Sequence, residues 1–580
     1  MIDEKDFVTV SEAVASFYSK RNIRFVHQLS GGMIVFLADA FARNGIEVIN
    51  YRNEQAAGFS AEGESRFSGQ PAIALGTSGP GATNLITSIA SAYFDSTPLI
   101  FITGQVSTSE IKKTDGQRQN GFQELDISLM CKSITKGVFK ILGANDIELV
   151  LQTAWDLANS GRKGPVLLDI PIDIQQLQVL SDNEDSVQTS QVSEDASGNT
   201  SRPDRKTHTK DYPDRFQELT RILNSAERPL ILVGGGVQLD SATEQFRHFA
   251  QRSGIPVVSS LMGIDCYSHE EENYVGFIGS YGNRWANRAL YRSDVLLVLG
   301  SRLDIRQTGS NVDEFMANKY IIRVDIDQYE LAGRVRANMI IESRVSEFLS
   351  GLYDFEINPK GAHDFMREID FWRRKNPQSQ EQLIFGGIDP IQAIAEISKS
   401  HTDVDGYVID VGQHQMWAAQ ALRLNPAQRF ITSGGLGSMG FALPASIGAA
   451  LASGQKWVVI TGDGCTQLSI AEFQTLKHLN LPIVVYLFNN YQHGMVAQFQ
   501  KENLQGRFLG TRDGYSVPNF QKIIEGFEIP FYNVKTMPEL ATVQIEHLKS
   551  IHGPAVIEIS VDQRVEALPK LGKNVKLGDM

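Results

Sequence analysis

The chain has 580 residues, of which 42% are hydrophobic and 21% charged, which excludes global disorder and a single small binding module. Lys and Arg number 54 against 67 Asp and Glu, a net charge of −13, so nucleic acid is not an expected partner. The 3 cysteines are widely separated and lack metal-ligand spacing, as in a reducing compartment. The acidic start and the absence of an apolar run of membrane-spanning length lead us to expect a soluble, cytoplasmic protein.

Apolar runs typical of strands alternate with helical periodicity along most of the chain. Residues 1–180 contain PAIALG, PLIFITG and GPVLLDIPI, residues 213–358 contain RPLILVGGGV and DVLLVLGSR, and residues 386–580 contain GYVIDVG, KWVVITGDG and PIVVYLFNN. Buried strands that alternate with helices are typical of parallel sheets. We therefore predict an α/β fold of three doubly wound parallel-sheet domains, with a polar flexible linker at 181–212 and a charged linker at 359–385.

The stretch from Gly462 to Asn490 carries the strongest chemical signal. The strand WVVIT delivers Asp463 to a glycine-flanked turn, and a second apolar strand delivers Asn489 and Asn490. Because neighbouring parallel strands end at the same edge of a sheet, a carboxylate and an amide oxygen converge there. Such oxygen ligands suit Mg²⁺, which takes its other ligands from diphosphate and water. GDG alone is most often a simple turn, but the two asparagines favour a cofactor site.

This pattern resembles the thiamine diphosphate-dependent enzymes, in which GDG is followed, after a helix and a strand, by NN. The resemblance implies that Asp463 and Asn490 bind Mg²⁺ together with the backbone carbonyl of Gln492. It also implies a glutamate that protonates the aminopyrimidine ring, and Glu54 stands between an apolar run and a helix of small residues. Taken alone, Glu54 is more simply a first-turn helix acid. Beside the other matches we interpret it as the catalytic carboxylate.

Longer strings narrow the resemblance to the acetolactate synthase group, also called acetohydroxyacid synthases. The strings are GTSGPGATNLITSIA, ITGQV, FQELDI, GRKGPVLLDIPIDIQQ, VGQHQMWAAQ, TSGGLGSMGFALPASIGAA and GMVAQF. The resemblance implies that Gly412, Gln413 and His414 hold the diphosphate and that Met439, alone more often core filler, is the apolar wedge that bends the cofactor. It further places Gly32 and Gln123 at the catalytic centre and Phe122 beside the substrate. It places Gly437, Gly462, Gly464 and Met495 beside the cofactor.

Glycine-rich turns in the middle domain resemble the segments with which acetolactate synthases hold a largely non-redox FAD. A glycine run after a strand is by itself a weak dinucleotide signal, and a domain that keeps the fold without flavin is the alternative. With the family matches around it, we expect FAD. The expected contacts are Arg162, Gly234, Gly235, Gly236, Gly300, Arg302 and Asp304. Arg306 matches the arginine that grips the carboxylate of the second 2-oxo acid, the alternative being a surface ion pair.

Several pocket positions depart from the family pattern. Phe499 stands where the family has a tryptophan that narrows the acceptor pocket and favours 2-oxobutyrate, and Met33 stands where the family has a small residue. The segment STSEIKKTDGQRQNG is longer than the usual loop, and such segments often shape active-site entrances. A similar lengthening occurs in acetolactate synthase-like carboligases of sugar and secondary-metabolite pathways. We therefore expect an altered preference among acceptors.

The resemblance implies a carboligase that decarboxylates a 2-oxo acid, with pyruvate as the expected donor, and transfers the acyl anion equivalent to a second carbonyl. The alternatives are a pyruvate oxidase-type flavin oxidoreductase and a 2-oxo acid decarboxylase or carboligase of another pathway. A binding subunit without chemistry is disfavoured because Glu54, Asp463, Asn490 and Met439 are all present. The resemblance also implies a homo-oligomer, a dimer or tetramer with active sites between chains, and leaves a regulatory subunit open.

Overall fold

The computed structural model describes residues 7–114, 116–180, 212–378, 385–547, 553–572, 575, 576, 578 and 580. The linker predicted at 181–212 lies, except for its last residue, outside the described residues. The described residues form two compact units. The first consists of the chain up to 180 together with 435–454 and 469–479, and the second contains the remainder.

The strands carry most of the predicted apolar runs. In chain order they are β1 (Phe7–Thr9), β2 (Phe25–Gln28), β3 (Glu47–Asn50), β4 (Ala72–Gly76), β5 (Leu99–Gln105), β6 (Gly137–Lys140), β7 (Val166–Pro171), β8 (Gln178–Leu180), β9 (Pro229–Val233), β10 (Val257–Ser259), β11 (Tyr274–Phe277), β12 (Val295–Leu299), β13 (Tyr320–Asp325), β14 (Met339–Glu342), β15 (Gly406–Ile409), β16 (Arg429–Thr432), β17 (Trp457–Gly462), β18 (Ile483–Asn489), β19 (Phe531–Val534) and β20 (Ala555–Ser560).

The helices alternate with these strands. They are α1 (Val10–Ser19), α2 (Val35–Arg43), α3 (Glu54–Ser68), α4 (Pro80–Phe94), α5 (Ile127–Cys131), α6 (Ile147–Asn159), α7 (Tyr212–Ser225), α8 (Gly236–Leu239), α9 (Thr243–Ser253), α10 (Arg284–Arg292), α11 (Ile305–Thr308), α12 (Val312–Met316), α13 (Gln328–Leu331), α14 (Val345–Gly351), α15 (Lys360–Lys375), α16 (Pro390–Ser400), α17 (Gln413–Ala421), α18 (Ala442–Ser453), α19 (Asp463–Ser469), α20 (Glu472–Leu479), α21 (Gly494–Asn503), α22 (Phe520–Gly526) and α23 (Met537–Thr542). Among them, none combines the length and apolar character needed to span a bilayer.

The first unit is built on a six-stranded parallel sheet with the order β3-β2-β4-β5-β7-β6. Its central strand β5 is buried along its whole length, which explains why the sequence there reads as one continuous apolar run. The chain order reverses between β2 and β4, and ligands of such sheets bind beyond the carboxyl ends of the strands at this reversal. The loops that follow β2, β3 and β4 are therefore the place to look for a site.

The second unit contains two more parallel sheets, ordered β11-β10-β9-β12-β13-β14 and β16-β15-β17-β18-β20-β19. The order reverses between β9 and β12 in one sheet and between β15 and β17 in the other. With the sheet of the first unit, they confirm the predicted α/β fold of three parallel-sheet domains. The stretch predicted as a linker at 359–385 contains α15, whose Phe365, Ile369 and Trp372 belong to the core of the middle sheet. The predicted domain limits stay predictions.

The first unit also takes in a helix from the last third of the chain. Helix α18 packs against α3 so closely that a Cβ at Gly63 would lie 1.9 Å from the carbonyl oxygen of Ala445. Only a residue without a side chain permits that approach. This contact fixes the loop before α18 to the same unit as Glu54.

Candidate active site

Glu54 lies at the first position of α3, just beyond the carboxyl end of β3. Asn53 caps the helix, because its side chain accepts a hydrogen bond from the backbone N–H of Gln55. The Glu54 side chain is buried, and its Oε2 accepts a hydrogen bond from Asn84 Nδ2 at 2.9 Å. A Cβ at Gly81 would lie 3.1 Å from Glu54 Oε1, so the glycine lets the first turn of α4 approach the carboxylate. The carboxylate is thus held in one place by its own unit.

A second buried carboxylate holds the backbone that leads into Glu54. Glu472 Oε1 accepts a hydrogen bond from the backbone N–H of Arg52 at 2.9 Å, and its Oε2 accepts one from Thr475 Oγ1 at 2.7 Å. Neither Asn84 nor Glu472 was predicted from the sequence. Asn84 stands inside the string GTSGPGATNLITSIA, which offered a signal for it. Glu472 has no local signal, because its partner is distant in the sequence.

The loop after β2 carries the predicted catalytic residue Gly32. It forms a single 3₁₀ turn from Gly32 to Ile34. The backbone N–H of Met33 donates to Thr77 Oγ1 at 3.2 Å, which joins this loop to the loop after β4. A Cβ at Gly32 would have no atom within 4 Å. Packing among the described residues therefore does not account for this glycine, and the space beside it is open to a ligand.

Gln123 lies beside the N-terminal end of α4, and Phe122 precedes it in the chain. Gln123 has φ of +66°, in the left-handed region, and a Cβ at Gly79 would lie 2.9 Å from its Cβ. Phe122 is 80% exposed, so its ring is open to a ligand. Helix α4 also carries Asn84, whose side chain holds the Glu54 carboxylate. Both predicted residues therefore lie near the helix that positions Glu54.

Two carboxylates hold described residues of the segment before Phe122, which the resemblance predicts to be longer than the usual loop. Glu124 accepts hydrogen bonds from the backbone N–H groups of Lys112 at 2.8 Å and Asn120 at 2.6 Å. Asp173 accepts one from the backbone N–H of Thr108 at 3.0 Å. The backbones of Thr108, Lys112 and Asn120 are therefore fixed by hydrogen bonds.

The predicted metal ligand Asp463 lies at the carboxyl end of β17. Helix α19 begins directly at Asp463, so the glycine-flanked turn that the sequence predicted is a helix start. The carboxylate is buried and accepts a hydrogen bond from the Tyr515 hydroxyl at 3.0 Å. Burial raises the pKa of Asp463 to about 6, although the backbone N–H groups of Gly464 and Gln492 partly oppose this by donating to it. A cation beside this carboxylate would favour its ionised form.

The two asparagines at the end of β18 do different things. Asn489 Nδ2 donates to Glu558 Oε1 at 2.6 Å, and Asn489 Oδ1 accepts from the backbone N–H of Tyr491. Both hydrogen bonds of Asn489 therefore stabilise the end of the sheet. Asn490 Nδ2 donates to Gln413 Oε1 at 2.8 Å. Because the Asn490 amide nitrogen is engaged, its carbonyl oxygen is the atom left for a cation. Of the pair, only Asn490 therefore suits the predicted ligand role.

A carboxylate, an amide oxygen and a backbone carbonyl form the candidate donor set for Mg²⁺. This set agrees with the preference of Mg²⁺ for a few protein oxygens, completed by phosphate and water. In the described ranges, no three His, Cys, Asp or Glu side chains lie together as a metal-binding group. The predicted set of Asp463, Asn490 and the Gln492 carbonyl is of a different kind, with one carboxylate and two neutral oxygen donors.

His414 lies in the first turn of α17, beyond the carboxyl end of β15. It is buried, and its Nε2 has no hydrogen-bond partner among the described residues. Burial lowers the pKa of His414 to about 3. A Cβ at Gly412 or at Gly462 would lie 2.5 Å or 2.8 Å from His414 Cε1. An unpaired buried nitrogen is costly unless a ligand satisfies it, so this cradle fits a diphosphate group.

Further predicted cofactor residues lie in loops and on α21. Met439 is half-buried in the loop of residues 435–441, and Gly437 in that loop has φ of +73°. Met495 packs against the core of the third sheet, whereas Phe499 is 58% exposed. The apolar side chain of Met439 is therefore accessible to a ligand.

The predicted flavin glycines lie where the order of the middle sheet reverses. A Cβ at Gly234 would lie 2.2 Å from the carbonyl oxygen of Gly300, and one at Gly236 would lie 2.7 Å from the Gly300 Cα. The loops after β9 and β12 therefore touch through their backbones, and this contact alone accounts for both glycines. A Cβ at Gly235 would lie 3.0 Å from the Cβ of Met262. Topology favours a dinucleotide here, while the glycines by themselves do not require one.

The charged residues predicted around flavin and acceptor are engaged in different ways. Asp304 caps α11, because its Oδ1 accepts from the backbone N–H of Arg306 at 2.8 Å, and Arg302 lies 4.0 Å from its Oδ2. Arg306 is exposed. Arg162 belongs to the first unit, where its Nε donates to Ser96 Oγ at 2.9 Å.

The predicted site residues thus fall into two groups by unit. Those around Glu54, and the Met439 loop, belong to the first unit. The second unit contains Asp463, Asn490 and His414.

Comparison with known families assigns all three sheets. Residues 8–130 match the thiamine pyrophosphate enzyme N-terminal TPP binding domain. Residues 216–352 match the central domain of these enzymes, and residues 410–559 match their C-terminal TPP binding domain.

Full-length relatives agree with these matches. The acetolactate synthase large subunit of Corynebacterium glutamicum is 33% identical over 583 residues, which cover 99% of this chain and 90% of the relative. The large subunit of Lactococcus lactis is 33% identical over 579 residues, covering 98% and 95%. The chloroplastic acetolactate synthase 1 of Nicotiana tabacum is 32% identical over 579 residues, covering 97% and 83%. The chain therefore belongs to the acetolactate synthase large-subunit-like family of thiamine diphosphate-dependent enzymes.

Proposed function

We propose that the protein decarboxylates a 2-oxo acid, with pyruvate as the expected donor, and joins the resulting acyl anion equivalent to a second carbonyl compound. The observation that carries this proposal is the buried Glu54, held by Asn84, in a chain that also bears the Asp463 and His414 group. Bound thiamine diphosphate supplies the nucleophilic carbon and the electron sink that decarboxylation requires. The residues of the chain bind, orient and exchange protons with it.

Glu54 is the proposed proton donor and acceptor. Its carboxyl group shares a proton with a ring nitrogen of the aminopyrimidine, while Asn84 keeps the carboxyl group in position. Geometry of this kind matters because general acid–base catalysis needs the two atoms within hydrogen-bond reach. Burial also keeps water from competing for the proton.

The second unit provides the proposed anchor. His414 and Gln413 bind the diphosphate, and Asp463, Asn490 and the carbonyl of Gln492 hold Mg²⁺. His414 Nε2, which has no partner among the described residues, and the engagement of the Asn490 amide nitrogen with Gln413 support this assignment. Mg²⁺ neutralises the diphosphate charge that a chain of net charge −13 would otherwise repel.

The substrate residues complete the proposal. Met439 provides the apolar support for the cofactor, and Phe122 with Gln123 faces the reacting carbons. Arg306 binds the carboxylate of the acceptor when that acceptor is a second 2-oxo acid. Its exposure supports this role, because the guanidinium is open to a ligand.

We also propose that the protein binds FAD and that it self-associates. The reversal of strand order between β9 and β12, with two glycine loops beside it, supports an FAD in the middle domain. We assign it no catalytic step. By analogy with the family, the protein is proposed to act as a homo-oligomer with active sites shared between chains.

A product analysis tests the proposal. The protein is incubated with pyruvate, thiamine diphosphate, Mg²⁺ and FAD, the products are identified by NMR, and oxygen uptake is followed in parallel. Acetolactate formed without oxygen uptake is the expected result with pyruvate as the sole substrate. Acetaldehyde with no ligation product keeps pyruvate as donor and calls for other carbonyl acceptors. Oxygen uptake with acetate would overturn the proposal in favour of an oxidase.

A further inference from the structure

A buried cluster of three charged side chains in the first unit has no part in the proposed chemistry. Arg66 Nη2 lies 3.0 Å from Asp95 Oδ2, and Arg66 Nε lies 3.4 Å from Glu62 Oε1. All three side chains are at most 8% exposed. Burial raises the pKa of Glu62, while the guanidinium of Arg66 opposes that rise. Burying such charges is unfavourable and contributes little stability by itself, which indicates that the cluster serves another purpose.

Asp95 holds the beginning of the loop that carries Met439. Its Oδ1 accepts a hydrogen bond from the backbone N–H of Gly435 at 2.7 Å. A Cβ at Gly435 would lie 2.8 Å from the Cβ of Phe94 and 2.9 Å from Asp95 Oδ1. The backbone therefore sits directly against the carboxylate, and bonds of this charge-assisted kind are stronger than neutral ones.

The end of the Met439 loop, at Phe441, is held by residues of α3. The ring of Phe441 packs edge-on against Phe59 of α3, with 5.3 Å between centroids. The guanidinium carbon of Arg66 lies 5.9 Å from the Phe441 ring. Helix α18, which follows Phe441, is itself pressed against α3 at Gly63. Both ends of the loop are thus fixed by α3 and by the residue that follows α4.

We propose that Asp95, held by its ion pair with Arg66, is a positioning residue that sets the Met439 loop in its cofactor-binding conformation before the cofactor arrives. Without this anchor, the cofactor would have to order the loop as it binds, which lowers affinity. At saturating cofactor the loop is ordered again, and turnover recovers. The inference rests on the proposed role of Met439 as cofactor support.

The test uses Asp95→Ala and Asp95→Asn in the full-length protein. Asparagine keeps an oxygen that can accept from the Gly435 N–H but loses the ion pair, so its effect should be the smaller of the two. We expect Asp95→Ala to speed hydrogen exchange in peptides covering residues 435–441 about tenfold and to weaken thiamine diphosphate binding by a similar factor. The kcat at saturating cofactor should stay within about twofold of wild type, since the reacting groups are intact.

Asp294→Ala is the control. Asp294 also accepts backbone hydrogen bonds, from Glu227 at 2.8 Å and Arg228 at 2.9 Å, but in the middle domain. It should lower the melting temperature without changing cofactor affinity or exchange at 435–441. Unchanged hydrogen exchange at 435–441 in Asp95→Ala would overturn the proposal. An equal loss of thiamine diphosphate affinity in Asp95→Ala and Asp294→Ala would also overturn it. If Asp95→Ala merely fails to fold, Asp95→Asn decides by the same two measurements.

A third variant separates this inference from the proposed function. Met439→Ala keeps both anchors of the loop, so its exchange at 435–441 should match wild type while cofactor affinity falls. If Met439→Ala binds the cofactor normally, the proposed role of Met439 is wrong. The exchange difference in Asp95→Ala would still establish the anchor as a structural fact, and only its link to the cofactor would fall.

Discussion

Glu54 and His414 are equally buried, at 5% exposure each, yet they differ in their hydrogen-bond partners. Glu54 has its partner Asn84 in its own unit, whereas His414 Nε2 has none among the described residues. The proposed acid–base group is therefore positioned before any ligand binds. The proposed anchor keeps an unsatisfied polar atom that only a ligand completes. Changes at the first position should affect turnover, and changes at the second should affect binding.

The largest effect is expected from Glu54→Gln. Glutamine keeps an oxygen for Asn84 but cannot exchange a proton at neutral pH, so we expect turnover to fall by roughly 10²–10⁴-fold. The rise in melting temperature on adding thiamine diphosphate and Mg²⁺ should persist, because the proposed anchor lies in the other unit. Wild-type turnover would remove Glu54 from the mechanism. Loss of the thermal shift would show that the two roles are not separable.

Tyr515→Phe tests the binding half of the comparison. The hydroxyl of Tyr515 donates to Asp463 Oδ2 at 3.0 Å, so its removal frees the carboxylate to rotate away from the cation. Loss of such an outer partner typically weakens metal affinity by roughly 10–100-fold. Titrating the cofactor-loaded protein with Mg²⁺ while following the melting temperature measures this. Asp463→Ala should show no Mg²⁺-dependent shift at all, and a Tyr515→Phe curve that overlays wild type would refute the role of the hydroxyl.

The strands could be predicted from the sequence because burial on both faces leaves a continuous apolar run. PLIFITG became β5 and GPVLLDIPI became β7 with nearly the expected bounds. Asp463 and the two asparagines could also be placed, since the carboxyl ends of neighbouring parallel strands meet at one edge. These are consequences of local pattern plus a rule of topology.

The partners of those residues could not be predicted, because they come from distant parts of the chain. Nothing local shows that Asn489 pairs with Glu558 while Asn490 faces Gln413. Tyr515 likewise reaches Asp463 across many intervening residues. Pairings of this kind depend on how separate elements pack, and a single sequence does not encode them as a pattern.

A smaller effect is expected from His414→Gln, and its sign depends on pH. Burial lowers the pKa of His414 to about 3 from an ordinary 6.5, so at pH 5 the unfolded chain takes up a proton that the folded protein does not. This favours unfolding of the wild type by about 2 kcal/mol at pH 5, and by almost nothing at pH 7.5. Relative to wild type, the cofactor-free variant should therefore gain that stability between pH 7.5 and 5, as measured by chemical denaturation at both values.

The cofactor separates this effect from a general change in stability. With thiamine diphosphate and Mg²⁺ at pH 7.5, His414→Gln should show a smaller thermal shift than wild type, because the proposed diphosphate contact is weakened. An equal shift would mean that His414 does not touch the diphosphate. An unchanged stability difference between the two pH values would mean that the buried imidazole is not kept neutral.

The smallest effect concerns the choice of acceptor and sits at an exposed position. Phe499 is 58% exposed on α21, and Phe499→Trp restores the residue type of the family, with a larger ring and an N–H donor. We expect the ratio of kcat/KM for 2-oxobutyrate over pyruvate as acceptor to rise by about tenfold, the range that a change in pocket size gives. Phe371→Trp on α15, where Phe371 is 51% exposed, is the matched control and should leave the ratio unchanged. A ratio that moves equally in both variants, or in neither, would show that Phe499 does not line the acceptor pocket, and the loop before Phe122 would become the next region to test.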